Sequence, residues 1–207
     1  MADEQLKEKV LTTEEVYHGH VIRVERWQVM LPDGKEALRE VVKHNGAVGI
    51  VAIDDEGKVT LVRQDRVAAG RLTWEIPAGK LDSPEEDPLS AAHRELEEET
   101  GLHAENWHEL TCINTTPGFC TERIWLYVAT GLSQHDMHLD EDEFLNTAKL
   151  PLEEAVDMCM KGQLRDSKTV VALLMAQRYL ADASFVPAGI HSSMQRGTGA
   201  VLSPEEK

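Results

Sequence analysis

Between Ala78 and Leu102 the chain reads AGKLDSPEEDPLSAAHRELEEETGL, and no other stretch narrows its fold and chemistry as much. A glycine loop leads into a short helix with marked ends. Asp87 is placed to cap it, Pro88 suits its first turn, and Gly101 suits the left-handed residue beyond its last. Leu89, Ala92 and Leu96 form an apolar stripe that predicts packing against a core. Glu95, Glu98 and Glu99 stand at i, i+3 and i+4, so their carboxylates share one face. Like charges on neighbouring turns repel, and a hard divalent cation removes that repulsion by taking the oxygens as ligands. Such a cation would serve chemistry on a phosphate-bearing substrate. An isolated acidic run reads best as a solvated helix face. Here the preceding glycine loop, Arg94 among the acids and the terminal Gly101-Leu102 pair reverse that preference.

The remaining composition sets bounds. A chain of 207 residues can bury a substantial core and suggests one domain, or one domain with an extension. A net charge of −16 argues against general binding to nucleic acid or acidic membranes, since no basic stripe is present. Cys112, Cys120 and Cys159 form neither a CxxC pattern nor a disulfide framework, as expected for a reducing compartment. MADEQLKEKV carries no apolar signal core, and no run reaches membrane-spanning length, so a cytoplasmic location is expected.

Along the chain, His20–Leu31 reads as a strand, followed by a Pro32-Asp33-Gly34 turn and a second strand through Lys43. This meander is too small to stand alone. Ala47–Ile53 is a buried-strand run, Asp54–Gly57 its turn, and Lys58–Gln64 its expected hairpin partner. Strands are expected at Leu72–Ile76, Trp107–Ile113 and Arg123–Ala129. Helices are expected at Leu152–Lys161 and Thr169–Ala181, the latter with Val170, Leu173, Leu174 and Gln177 at helical spacing. An acidic loop spans Asp140–Glu143, and a mobile tail is expected beyond Ala183.

Gly79, Glu86 and the run Arg94-Glu95-Leu96-Glu97-Glu98-Glu99-Thr100-Gly101-Leu102 resemble the signature of the Nudix hydrolases. One departure exists: six residues rather than five separate Gly79 from Glu86, and the extra one falls in the loop, outside the helix register. Other segments resemble the ADP-ribose pyrophosphatase branch. These are the Trp74-Glu75-Ile76-Pro77-Ala78-Gly79 lead-in, Gln64-Asp65-Arg66, Thr116-Pro117-Gly118-Phe119, and the two N-terminal strands, which are similar to that branch's dimerising extension. The resemblance covers about Val16 to Ala181.

The resemblance implies an α/β fold, an α/β/α sandwich around a mixed sheet. Residues 1–45 would be an antiparallel β extension that builds a homodimer, 46–182 the hydrolase domain and 183–207 the tail. It makes Glu95 and Glu99 the principal metal ligands, with Glu98 also at the metals and the Ala78 carbonyl as a further ligand. Magnesium is the natural ion, with manganese an alternative. Glu86 and Arg94 would pair to fix loop to helix, with a catalytic reading of Glu86 equally open. Glu141 is favoured as the base that takes the proton from water or as a more distant metal carboxylate, with Glu143 next, and Glu98 counts among the catalytic candidates as well. Arg66 would hold the diphosphate through its forked guanidinium. Arg39 and Glu40 match base-contacting positions in the family, and a surface ion pair is an equal reading. The implied reaction is metal-dependent hydrolysis of ADP-ribose to AMP and ribose 5-phosphate. Another nucleoside diphosphate derivative, such as a nucleotide sugar or NADH, is the alternative, and a non-catalytic nucleotide-sensing module a more distant one.

Overall fold

The computed structural model describes residues 3–137 and 144–181; the expected tail beyond residue 183 lies outside them. Strand β4 (Ala47–Ala52) is buried along its whole length, and the other layers are arranged to cover it. Side chains alternate across a strand. Val48, Ile50 and Ala52 therefore pack on one face against Ala91, Ala92 and Leu96 of helix α1 (Pro88–Thr100). Ala47 and Val51 point the other way, into a cluster with helices α2 (Leu152–Met160) and α3 (Ser167–Ala181), which contribute Ala155, Val156, Ala172, Leu173 and Ala176. Helices on both faces of a sheet make the expected α/β/α sandwich.

The central sheet runs β7 (Ala78–Lys80), β4, β9 (Arg123–Gln134), β8 (Leu102–Asn114), and it is mixed: β4 lies parallel to β9, while the other two pairings are antiparallel. A second, antiparallel sheet has the order β10 (Asn146–Pro151), β5 (Lys58–Arg66), β6 (Arg71–Glu75). The N-terminal strands β1 (Lys9–His18), β2 (Arg23–Met30) and β3 (Glu36–Lys43) form a third sheet. The end of β3 is tied to the loop after β8: Val42 N–H donates to the Phe119 carbonyl at 2.7 Å, and Thr121 N–H to the Val42 carbonyl at 2.9 Å.

Several expectations are corrected. The Asp54–Gly57 turn forms, with Gly57 N–H donating to the Asp54 carbonyl at 2.9 Å, but β4 and β5 do not make a hairpin. They part after a single Ile53–Val59 bridge, because both edges of β4 are taken by β7 and β9. Strand β1 carries no alternating strand signal in its sequence. Each of its residues is exposed, so no buried face imposes a period of two on its sequence. Strand β10 is present beyond the expected strands, and β8 starts at Leu102, directly after the left-handed Gly101, rather than at Trp107. The buried arc of α1 uses Ala91 where Leu89 was expected, and Leu89 stays exposed; the arc is rotated toward Glu95 and Glu99, which lie beneath the β7 loop. On α3 the buried residues are Lys168, Thr169, Ala172, Leu173, Ala176 and Tyr179, while Leu174 is exposed.

Leu96 is fully buried between α1 and the sheet. Leu96→Ala is expected to lower the unfolding free energy by about 2–5 kcal/mol through lost contacts and a residual cavity. Urea denaturation checks this as a lower midpoint at unchanged slope.

Candidate functional site

Loop and helix are fastened together before any ligand is considered. Asp87 accepts from Ser90 N–H at 2.9 Å, Pro88 opens α1, and Gly101 closes it with φ of 66° and its N–H on the Glu97 carbonyl at 2.7 Å. Glu95 and Glu99 are buried and Glu98 is partly exposed. The Glu99 carboxylate accepts from the backbone N–H of Ala78 at 2.9 Å, which holds the loop onto the helix. Gly79 meets a different demand. A Cβ there would lie 1.9–2.0 Å from the Glu95 carboxylate atoms, so only glycine allows this acid to pass so close to the backbone.

Arg94 gathers the acids. Its Nη1 donates to Glu95 at 2.8 Å and to Glu98 at 3.1 Å, and its Nη2 donates to the Lys80 carbonyl at 3.2 Å and to Glu86 at 3.4 Å. Burial works against the Arg94 charge, but the carboxylates of Glu95, Asp82 and Glu86 outweigh it and raise its pKa further. Glu86 also accepts from Asp82 N–H at 2.6 Å, and Glu86 N–H donates to the Ser83 carbonyl at 3.2 Å. The extra loop residue thus falls in a bend whose two ends are joined through Glu86.

An open cleft of about 940 Å³ runs beside these groups, with Glu95, Glu98 and Glu99 of α1 in its lining. Strands β5 and β6 and the first turn of α3 supply Arg66, Glu75 and Lys168 to the same cleft. Glu75 is 2% exposed and both its oxygens are occupied. Arg66 donates to it through Nε at 2.9 Å and Nη2 at 2.7 Å, Thr73 Oγ1 donates at 2.6 Å, and Lys168 Nζ donates to the second oxygen. Burial alone would raise the Glu75 pKa, but the bonds and charges of Arg66 and Lys168 prevail and bring it down from 4.5 to about 2. Arg66 is held more strongly protonated in turn, first by its bond to Glu75, with the Glu99 charge also contributing. Asp166 caps α3: its carboxylate accepts from Thr169 N–H at 3.1 Å, from Thr169 Oγ1 at 2.6 Å and from Lys168 Nζ at 3.0 Å.

The cleft thus brings together Ala78, Gly79, Arg94, Glu95, Glu98, Glu99 and Arg66 from the sequence reading. Glu86 reaches it through Arg94. Arg39 and Glu40 lie on β3 and are not among the residues that line it; Arg39 pairs instead with Glu8. Glu141 and Glu143 lie outside the described residues. Sequence reasoning assigned no role to Glu75, Thr73, Asp166 or Lys168. Asp166-Ser167 ahead of an apolar-periodic segment is a helix-start signal, but it says nothing about where that helix end points.

Among the described residues, no three acidic, histidine or cysteine side chains meet in a ready coordination sphere. The donor chemistry still fits a hard cation. Glu95 and Glu98 are already gathered around one positive charge, that of Arg94, and carboxylates with the Ala78 carbonyl make an all-oxygen set without sulfur or imidazole. Glu95, Glu98 and Glu99 would hold such an ion.

Gly79→Ala must push Glu95 away from the loop, so divalent-cation affinity is expected to fall about 10- to 100-fold, the range for groups that orient metal ligands. Calorimetric titration with magnesium and with manganese measures it. For Glu75, the lowered folded-state pKa means its stabilisation is complete above pH 4.5 and is lost as pH falls from 4.5 toward about 2. Glu75→Gln breaks a buried pair and is expected to cost about 3 kcal/mol at pH 7. Thermal unfolding across pH 3–7 should show the gap between variant and parent narrowing below pH 4.5.

Comparison with known proteins agrees with this geometry. The NUDIX domain family model matches residues 43–175. The chain is 43% identical over 173 residues to the methanol dehydrogenase activator of Bacillus methanolicus, covering 83% of this chain and 93% of that one. It is 41% identical over 174 residues to the ADP-ribose pyrophosphatase of Bacillus subtilis (strain 168), covering 83% and 94%. A crystal structure of an ADP compounds hydrolase superposes with a TM-score of 0.76 at 25% identity, over 87% of this chain and 97% of that one. The chain is therefore a member of the Nudix hydrolase family and groups with its ADP-ribose pyrophosphatases.

Proposed function

We propose that this Nudix pyrophosphohydrolase cleaves the diphosphate bond of ADP-ribose to AMP and ribose 5-phosphate, with a divalent cation, magnesium by preference, at Glu95, Glu98 and Glu99. The observation that carries this reading is the composition of one cleft: a carboxylate triad from α1 shares it with an arginine from β5 whose guanidinium is partly free. A cation bound by the triad supplies Lewis-acid polarisation of a phosphoryl oxygen and lowers the pKa of water. The chain's own residues do the rest. Arg66 places its remaining N–H donors on the diphosphate oxygens, a charge-assisted contact of the kind guanidinium makes with phosphate. Arg94 keeps Glu95 and Glu98 in register, and the Ala78 N–H keeps Glu99 turned to the loop. Glu141, with Glu143 as the alternative, takes the proton from the attacking water.

The same reading assigns residues 1–45 to dimerisation. Val10, Leu11, Val16 and Tyr17 on β1 are exposed apolar groups, and a second copy would cover them. Arg39 and Glu40 would then contact the adenine of the substrate. No helix among the described residues is long and apolar enough to cross a membrane; we place the enzyme in the cytoplasm.

A magnesium-supplemented panel of ADP-ribose, a nucleotide sugar and NADH tests the substrate. Fast release of AMP from ADP-ribose is expected, and negligible turnover of it beside rapid turnover of another member would overturn the choice. Glu99→Gln is expected to reduce kcat about 100-fold or more while the unfolding temperature stays near that of the parent. Unchanged kcat would remove Glu99 from the metal site.

A further inference from the structure

The cleft contains a buried polar network that the proposed chemistry does not itself require. Arg66 ends β5, where a long side chain would otherwise spread over many rotamers. It is not free. Glu75 grips it side-on through Nε and Nη2, which uses two of its five N–H donors and leaves three for an anion. The guanidinium side chain remains 43% exposed within the cleft lining.

Glu75 is held from behind. Lys168, with 10% side-chain exposure, donates to the Glu75 oxygen that also receives Arg66 Nη2, and is itself steadied by Asp166 at 3.0 Å. One residue on, Thr169 accepts the backbone N–H of Ile76 at 3.0 Å across 93 positions of sequence. The first turn of α3 therefore fastens both the side chain of Glu75 and the backbone after it.

We propose that Lys168 is a positioning residue for substrate binding: it fixes Glu75, and Glu75 aims Arg66 at the diphosphate. This rests on Arg66 being the diphosphate ligand. Lys168 touches no substrate atom in this scheme and acts through its neighbour, so its effect must depend on Arg66.

The test is a double-mutant cycle on the full chain, with inorganic pyrophosphate as the calorimetric probe in magnesium buffer and ADP-ribose as the kinetic substrate. Arg66→Ala is expected to weaken pyrophosphate binding about tenfold. Lys168→Met should weaken it about fivefold when Arg66 is present and not at all in the Arg66→Ala background, the non-additivity of coupled residues. KM for ADP-ribose should rise in parallel while kcat stays within about twofold, and Lys168→Arg should recover most of the loss. Lys168→Gln replaces Lys168→Met if the methionine variant does not fold. An equal loss in both backgrounds, or none, overturns the positioning role while leaving Arg66 in place. If Arg66→Ala itself leaves pyrophosphate affinity unchanged, the assignment of Arg66 beneath it falls.

Discussion

The short path from Ile76 to Lys80 is held between two helices that are remote from each other in sequence, and the site depends on that clamp. On one side Glu99 of α1 accepts the Ala78 N–H; on the other Thr169 of α3 accepts the Ile76 N–H. Beside them the backbone is pressed so close to Glu95 that a Cβ on residue 79 would displace the carboxylate. Buried backbone donors must be satisfied, so each of these bonds also removes a penalty that would otherwise oppose the loop. The clamp explains why Glu95 and Glu99 of α1 are buried at all. Glu99 serves as an acceptor for the loop, and Glu95 and Glu98 are neutralised by Arg94.

Electrostatic organisation follows from the same arrangement. A chain with net charge −16 would repel a diphosphate as a whole, yet Arg66, Arg94 and Lys168 are concentrated around one cleft. Each is committed to carboxylates, so none stands as an isolated buried charge. Breaking one partner of such a pair is costly because the other remains desolvated. The depressed pKa of Glu75 is the measurable sign of that mutual dependence.

Helix α1 was legible in detail because its determinants are local. Asp87, Pro88 and Gly101 mark its ends within a few bonds, and the i, i+3, i+4 spacing of Glu95, Glu98 and Glu99 decides their common face. The two-sided burial of β4 was legible as an apolar run. The strands whose partners are remote were less so. Exposure of β1 on both faces erased its pattern, and the divergence of β4 from β5 depends on competition for the edges of β4 by segments distant in sequence.

The amino-acid sequence by itself determined the acid-bearing helix, the glycine loop before it, the family likeness and the sandwich class, since each rests on short-range spacing or on a residue's own conformational preference. Only the tertiary structure decided that Arg66 is gripped by Glu75 and that Lys168 and Thr169 of α3 support the opposite end of the same loop. It also decided that the constraint on Gly79 is the nearby Glu95 carboxylate rather than its own dihedral angles. The physical reason is common to all three. These are contacts between segments brought together by packing of the core, and no periodicity along one segment encodes what another will place against it.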